Sequence, residues 1–318
     1  LQQLGLDGIK GVSYSVAFEG RALRSELRLD APAPRRGIAK LLLDQPKVAL
    51  ADLPALPKGT DGFFLLGLDY ARTFDDVVAM IKAVPGGPTD ADVQQGLAEV
   101  DQALEMRLRE DVIAALGKKL LIFSEQVQGL PGMGVALGIE IKDAAVARKA
   151  VARITDLIEQ SAGGAVQLNR QKIGNVDVTV FQLPGEVPLP IMPAVAVTER
   201  WAVLGLAPVL VQDFVRTQSG EMPRLTPDST FAKSRGNIAS EGNWIGWNDP
   251  RPTVEAILAV APDLVQSIAA NVPNFNLDAS LLPTAEQVNK YLFAGHTAAV
   301  MDEHGMRWVG TSSMPMLS

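Results

Sequence analysis

Side chains suited to acid–base or metal chemistry are scarce in this chain. Its histidines are His296 and His304, and it has no cysteine. The histidines flank a stretch that reads as a hairpin turn, Asp302-Glu303-His304-Gly305. Two imidazoles and two carboxylates could meet there as a weak metal site. The preferred reading is a strand histidine and a turn histidine, both solvated. Three strong nitrogen or sulfur ligands cannot be gathered from one such chain, so no transition metal and no other cofactor is expected. The missing thiols also exclude disulfides, cysteine nucleophiles and iron–sulfur clusters. No Gly-x-Ser-x-Gly elbow occurs, and a Ser-His-Asp triad would have to draw on one of the two histidines.

Adjacent carboxylates occur at Asp75-Asp76, Glu110-Asp111 and Asp302-Glu303. Consecutive side chains point to different sides of a helix or strand, so these pairs read as helix-start charge or solvated turns. Gly132-Met133-Gly134 with Gly138 fails as a dinucleotide loop, because the third glycine is one residue late and the run precedes a strand. Gly117-Lys118-Lys119 lacks the glycine and hydroxyl of a phosphate loop. Trp201, Trp244, Trp247 and Trp308 read as core anchors; Trp244 and Trp247 fall on opposite strand faces, so one of them could be exposed. No residue is assigned a catalytic, cofactor-binding or metal-binding role.

The elements that carry these residues follow from hydrophobic period. In GVALGIEIKDAAVARKAVARI, Gly134 to Ile154, alternation at Val135, Leu137, Ile139 and Ile141 predicts a strand. Val146, Ala150, Val151 and Ile154 then step at helical spacing behind an Asp143 N-cap. The strand side bearing Ile139 is expected to face that helix, with Glu140 solvated. Similar units begin at Gly62, Trp201 and Asn243, each with an apolar–Gly–apolar triplet at Gly67, Gly205 or Gly246. These glycines are expected near strand ends, with a helix within about six residues. The triplets are too unevenly spaced for a solenoid. An internal duplication is the alternative to a common building habit.

Val12–Asp30 predicts a hairpin turning at Glu19-Gly20, followed by a short helix over Arg35–Leu43 and a proline-rich connector, Pro46–Lys58. Thr73 is the expected N-cap of the next helix. Asp90–Leu116 predicts one long helix stopped by Gly117, then a strand over Leu120–Ser124 and a Gly/Pro loop over Gln126–Gly134. Further hairpins turn at Gly174-Asn175 and Glu199-Arg200, and Pro184–Pro193 reads as a loop or extended edge. Pro208 and Pro250 suit first helical turns. A short helix is expected near Ser229–Ser234, a helix over Val254–Val272 broken at Pro262, and a capping box at Thr284 and Gln287. The closing hairpin is Leu292–Val300 with Met306–Ser312. The terminal hairpins are expected at edges of one sheet.

With 47% hydrophobic and 20% charged residues the chain is globular. A net charge of −7 argues against a nucleic-acid partner. No apolar run is long enough to span a bilayer. The chain begins at Leu1, from which an upstream segment is expected.

The stretches VSYSVAFEGRALRSELRL, VALGIEIKDAAVARKAV, WAVLGLAPVLVQDFV and LPTAEQVNKYL with GMRWVGTSSMPML resemble an uncharacterised family of bacterial envelope-associated proteins, a domain of unknown function. That resemblance implies export and brings no catalytic residues with it.

The expected fold is α+β, with antiparallel hairpins, recurring strand–helix units and helices over one sheet face. It forms one unit, 1–318, or alternatively two similar subdomains, 1–165 and 166–318. The first functional reading is a non-enzymatic envelope or extracellular protein acting through its surface, with a protein partner or itself. The second is a carrier of lipid or another apolar ligand, and the third a hydrolase with a dispersed carboxylate or serine site. The expected location is extracytoplasmic.

Overall fold

The computed structural model describes residues 5–127, 134–183, 191–225, 230–271 and 279–314. In chain order these form β1 (Gly11–Glu19), β2 (Ala22–Asp30), α1 (Gly37–Leu43), β3 (Val48–Ala49), β4 (Thr60–Gly67), α2 (Tyr70–Lys82) and α3 (Asp90–Leu104). After a π-helical turn over Leu108–Ile113 come β5 (Leu116–Glu125), β6 (Val135–Ile141), α4 (Ala144–Ser161), β7 (Gln167–Ile173), β8 (Val176–Gln182), β9 (Ala194–Val197) and β10 (Trp201–Gly205). The chain continues with α5 (Pro208–Ser219), α6 (Thr230–Ser234), β11 (Glu241–Gly242) and β12 (Trp244–Asn248). It closes with α7 (Pro250–Asn271), α8 (Ala285–Asn289), β13 (Gly295–Met301) and β14 (Gly305–Ser312).

The fold is α+β. Twelve strands make one antiparallel sheet in the order β1-β2-β14-β13-β12-β4-β5-β6-β10-β9-β8-β7, and β3 with β11 forms a separate two-stranded ladder. The large sheet takes in strands from both sides of residue 165. Both terminal hairpins join it at the same end, because β2 pairs with β14 and leaves β1 as the edge.

Helices cover both faces of this sheet, which corrects the one-sided arrangement expected from the sequence. On one face, Leu210, Val211 and Phe214 of α5 are fully buried against Val203, Ala136, Leu121 and Val178. This core extends across the sheet through Phe63 and Ile245 to Trp247 and Phe231. Its rings stack or meet edge-on, with Phe123–Phe214 centroids 5.5 Å apart and Phe231–Trp247 5.4 Å apart. On the other face, Ala147 of α4 packs with Ile141 and Val197. Strand β6 shows the division, since Ala136 belongs to the first core and Ile141 to the second. Period-2 alternation sends them to opposite sides.

The glycine triplets lie where the units require close approach. Gly67 and Gly205 end β4 and β10, while Gly138 and Gly246 lie inside β6 and β12. A helix follows each within six residues. A Cβ at Gly246 would stand 2.6 Å from the Phe64 ring and from Thr297, and one at Gly67 would stand 1.8 Å from the Pro46 carbonyl. Glycine is therefore a packing requirement here.

Three local expectations are corrected. The α2 cap is Asp69, whose carboxylate accepts from Arg72 N–H at 3.1 Å; Thr73 already lies inside the helix. The long helix from Asp90 stops at Leu104, where Glu105 takes φ +54° and Asp101 accepts from Leu108 N–H at 2.7 Å. The chain thus makes a second turn before β5, which starts at Leu116 and carries an irregularity before Leu120. Pro262 does not break α7, which is continuous through it. The expected hairpins at Gly20, Gly174 and Glu199 form, as do the Asp143 cap and the Thr284–Gln287 capping box. Parts of the expected loops Gln126–Gly134 and Pro184–Pro193, and Ser229, lie outside the described residues.

Candidate functional site

The two histidines do not meet. His296, the second residue of β13, lies opposite Trp247 and Thr311 and is half-buried where a solvated strand histidine was expected; burial lowers its pKa. His304 is exposed in the turn beside Glu303. Asp302 accepts from His304 N–H (2.8 Å) and Gly305 N–H (3.1 Å), so it shapes the turn. Among the described residues no group of three or more His, Asp or Glu side chains is placed to hold a metal ion.

The adjacent carboxylates are also divided between separate partners. Asp75 pairs with Arg109 through two bonds of 2.6 and 2.7 Å, whereas Asp76 binds Lys40 at 2.6 Å. Asp111 pairs with Arg107 at 3.1 Å. Trp201, Trp247 and Trp308 are buried, and the Trp247 indole donates to Ser234 at 2.7 Å. Trp244 is half-buried, so neither member of the Trp244–Trp247 pair is exposed.

One acidic group was not legible in the chain because its members are far apart in sequence. Asp61 on β4 is buried and accepts from Gln126 at 2.5 Å and from Ser124. Next to it on the sheet, buried Glu125 accepts from Thr60 at 3.3 Å. Burial first, then the charge of Asp213 on α5, pushes the Glu125 carboxyl up to about 7. A carboxyl with that pKa can exchange protons at neutral pH. Its one side-chain hydrogen bond among the described residues, from Thr60, ties the end of β5 to the start of β4.

The feature that gathers many side chains to one purpose is the β1 edge. Every residue of β1 is exposed. Val12, Tyr14, Val16 and Phe18 keep 65%, 59%, 49% and 83% of their surface in solvent, all on one sheet face. The rows continue inward as Val12–Leu29–Met306 and Tyr14–Leu27–Trp308. The reverse face carries charge: Glu26 bonds to Arg28 at 2.5 Å and Arg307 at 3.0 Å. Those two guanidiniums, Arg307 first, hold the Glu26 carboxyl down at about 2. The hairpin is therefore amphipathic, and the β1 half of its apolar face is exposed among the described residues.

The opposite edge differs. Strand β7, QLNRQKI, presents Arg170 and Lys172, and Arg170 bonds to Asp156 at 2.6 Å. Charged and polar side chains of this kind discourage edge pairing. Strand β1 carries no Lys, Arg or Pro, and its one charge, Glu19, is its last residue.

Comparison with protein families, with curated proteins and with solved structures finds no match for this chain. No helix of the described residues is long and apolar enough to cross a membrane.

Proposed function

We propose that this chain is a non-enzymatic interaction protein of the cell envelope or extracellular space, and that its working surface is the β1 edge. The observation that carries the reading is the contrast between the two sheet edges. One is polar and guarded by cations, whereas the other aligns four large apolar side chains beside open main-chain groups. Edges of the second type accept added strands. The carrier reading is tied to a different place, an open hollow of about 340 Å³ beside Leu50, Leu53, Leu56 and Phe231 that is also bordered by Arg224 and Arg235. The extracytoplasmic location is supported by the cysteine-free composition and by the family resemblance.

A photo-crosslinking side chain placed at Phe18, and separately at Gln171 on β7, tests the surface. Cross-linked protein adducts from position 18 and none from 171 are expected in cells making the protein from its natural gene. Equal yields, or lipid adducts alone, would overturn the reading. Cell fractionation tests the location, and recovery only from cytoplasm would overturn it.

A further inference from the structure

We propose that the partner of β1 is a second copy of this chain, joined antiparallel about a two-fold axis at Ser15 so that the two sheets become one. The inference rests on the surface reading above and adds the partner's identity and the register. Three observations lead to it.

The first is the direction of the free main-chain groups. Asp30 O accepts from Lys10 N–H at 2.8 Å, and Ala31 N–H donates to His304 O at 2.9 Å. Hence Asp30 faces β1 while Ala31 faces β14. Alternation along the ladder then turns the N–H and C=O of Gly11, Ser13, Ser15, Ala17 and Glu19 toward β2. Those of Val12, Tyr14, Val16 and Phe18 point outward, so the residues with exposed apolar side chains also hold the unpaired backbone.

The second is that the strand is complementary to itself. Only one antiparallel register overlaps all of Gly11–Glu19, and it places Ser15 opposite Ser15 of the other copy. Val12 then faces Phe18, and Tyr14 faces Val16, each pair exchanging both main-chain hydrogen bonds. Aromatic–β-branched pairs are among the stabilising cross-strand combinations. A chain paired with itself in any shifted register leaves Phe18 or Val12 without a partner.

The third is the area. Strand β2 has neighbours on both sides, and its Leu23, Leu27 and Leu29 are half-buried. Giving β1 the same lateral cover would remove on the order of 500 Å² per copy from water, about 1,000 Å² in all. That lies at the lower limit for a specific interface, the size class of weak and transient associations.

Because the chain has no cysteine, one introduced thiol reports the register. Facing residues at a non-hydrogen-bonded site lie about 4.5 Å apart between Cα atoms, within disulfide reach. Ser15→Cys should therefore cross-link to a dimer on mild oxidation. Ser13→Cys, about 13 Å from its symmetry mate, should not. In sedimentation equilibrium the unaltered chain should dimerise, and Val16→Lys should raise the dissociation constant at least tenfold with an unchanged circular-dichroism melt. Equal cross-linking of both cysteine variants, a dimer insensitive to Val16→Lys, or a monomer at about 100 µM would each overturn the proposal. A monomer that still cross-links through position 18 to another protein would leave the surface reading standing. A monomer without that adduct would end both.

Discussion

At the scale of single residues, the buried acid Glu125 has consequences that its neighbours decide. Burial first, then the charge of Asp213, pushes its carboxyl up to about 7 in the fold despite the Thr60 hydrogen bond, against the ordinary glutamate value of 4.5. The folded state thus retains a proton that the unfolded chain releases. That contribution to stability is complete below about pH 4.5 and is lost as pH rises through about 7. Glu125→Gln cannot lose it. The stability of the variant relative to the unaltered chain should therefore be flat at low pH and rise by about 3 kcal/mol by pH 8. Urea melts across that range check this, and a constant difference would show that Glu125 is solvated. Glu140, expected from sequence to be solvated, accepts from Lys119 Nζ at 2.9 Å and from Lys118 N–H at 3.1 Å. Glu140→Ala should cost about 1–3 kcal/mol, similar to or above the loss from half-buried Ile139→Ala. Denaturant melts of the two variants compare them directly.

At the scale of elements, the strand–helix units depend on glycines that let rings and carbonyls approach the sheet. Gly246→Ala should cost about 1–3 kcal/mol, because its methyl would meet the Phe64 ring and Thr297 at 2.6 Å. Phe64→Leu in the same chain should recover part of that loss, which a double-mutant cycle of thermal melts would register. If the two changes simply add, contact with Phe64 is not the cause. Alternation identified these strands, and Asp143 and Thr284 identified two helix starts. The Asp90–Leu104 helix was overextended because Leu108 and Val112 continue its apolar period after the backbone has left the helix at Glu105. Periodicity reports which side chains seek cover. It does not report a single left-handed residue, Glu105, after which the Asp101 carboxylate accepts from Leu108 N–H.

At the scale of the whole molecule, the larger core runs from Trp247 through Phe63 and Phe123 to Val178, crossing the central strands without interruption. Phe214→Ala, near its middle, should cost about 3–5 kcal/mol. The loss should be seen equally by tryptophan fluorescence and by far-ultraviolet circular dichroism, in one coincident transition. Two separated transitions would instead divide the chain into independently melting parts.

The sequence by itself determined the class of this fold. Alternation, helical period, turn glycines and caps act within a few residues, so the hairpins at Gly20, Gly174 and Glu199 and the units around Gly67 and Gly205 could be read directly. It also showed that β1 carries alternating apolar residues, but alternation alone assigns them to a buried face. Only the tertiary structure decided that β2 pairs with β14, that both sheet faces are covered near β6, and that β1 is left at the edge with Val12, Tyr14, Val16 and Phe18 in solvent. It likewise brought Asp61, Glu125 and Asp213 near one another. Strand order and long-range encounters follow from how distant segments share a core. No local pattern records which distant segment that will be.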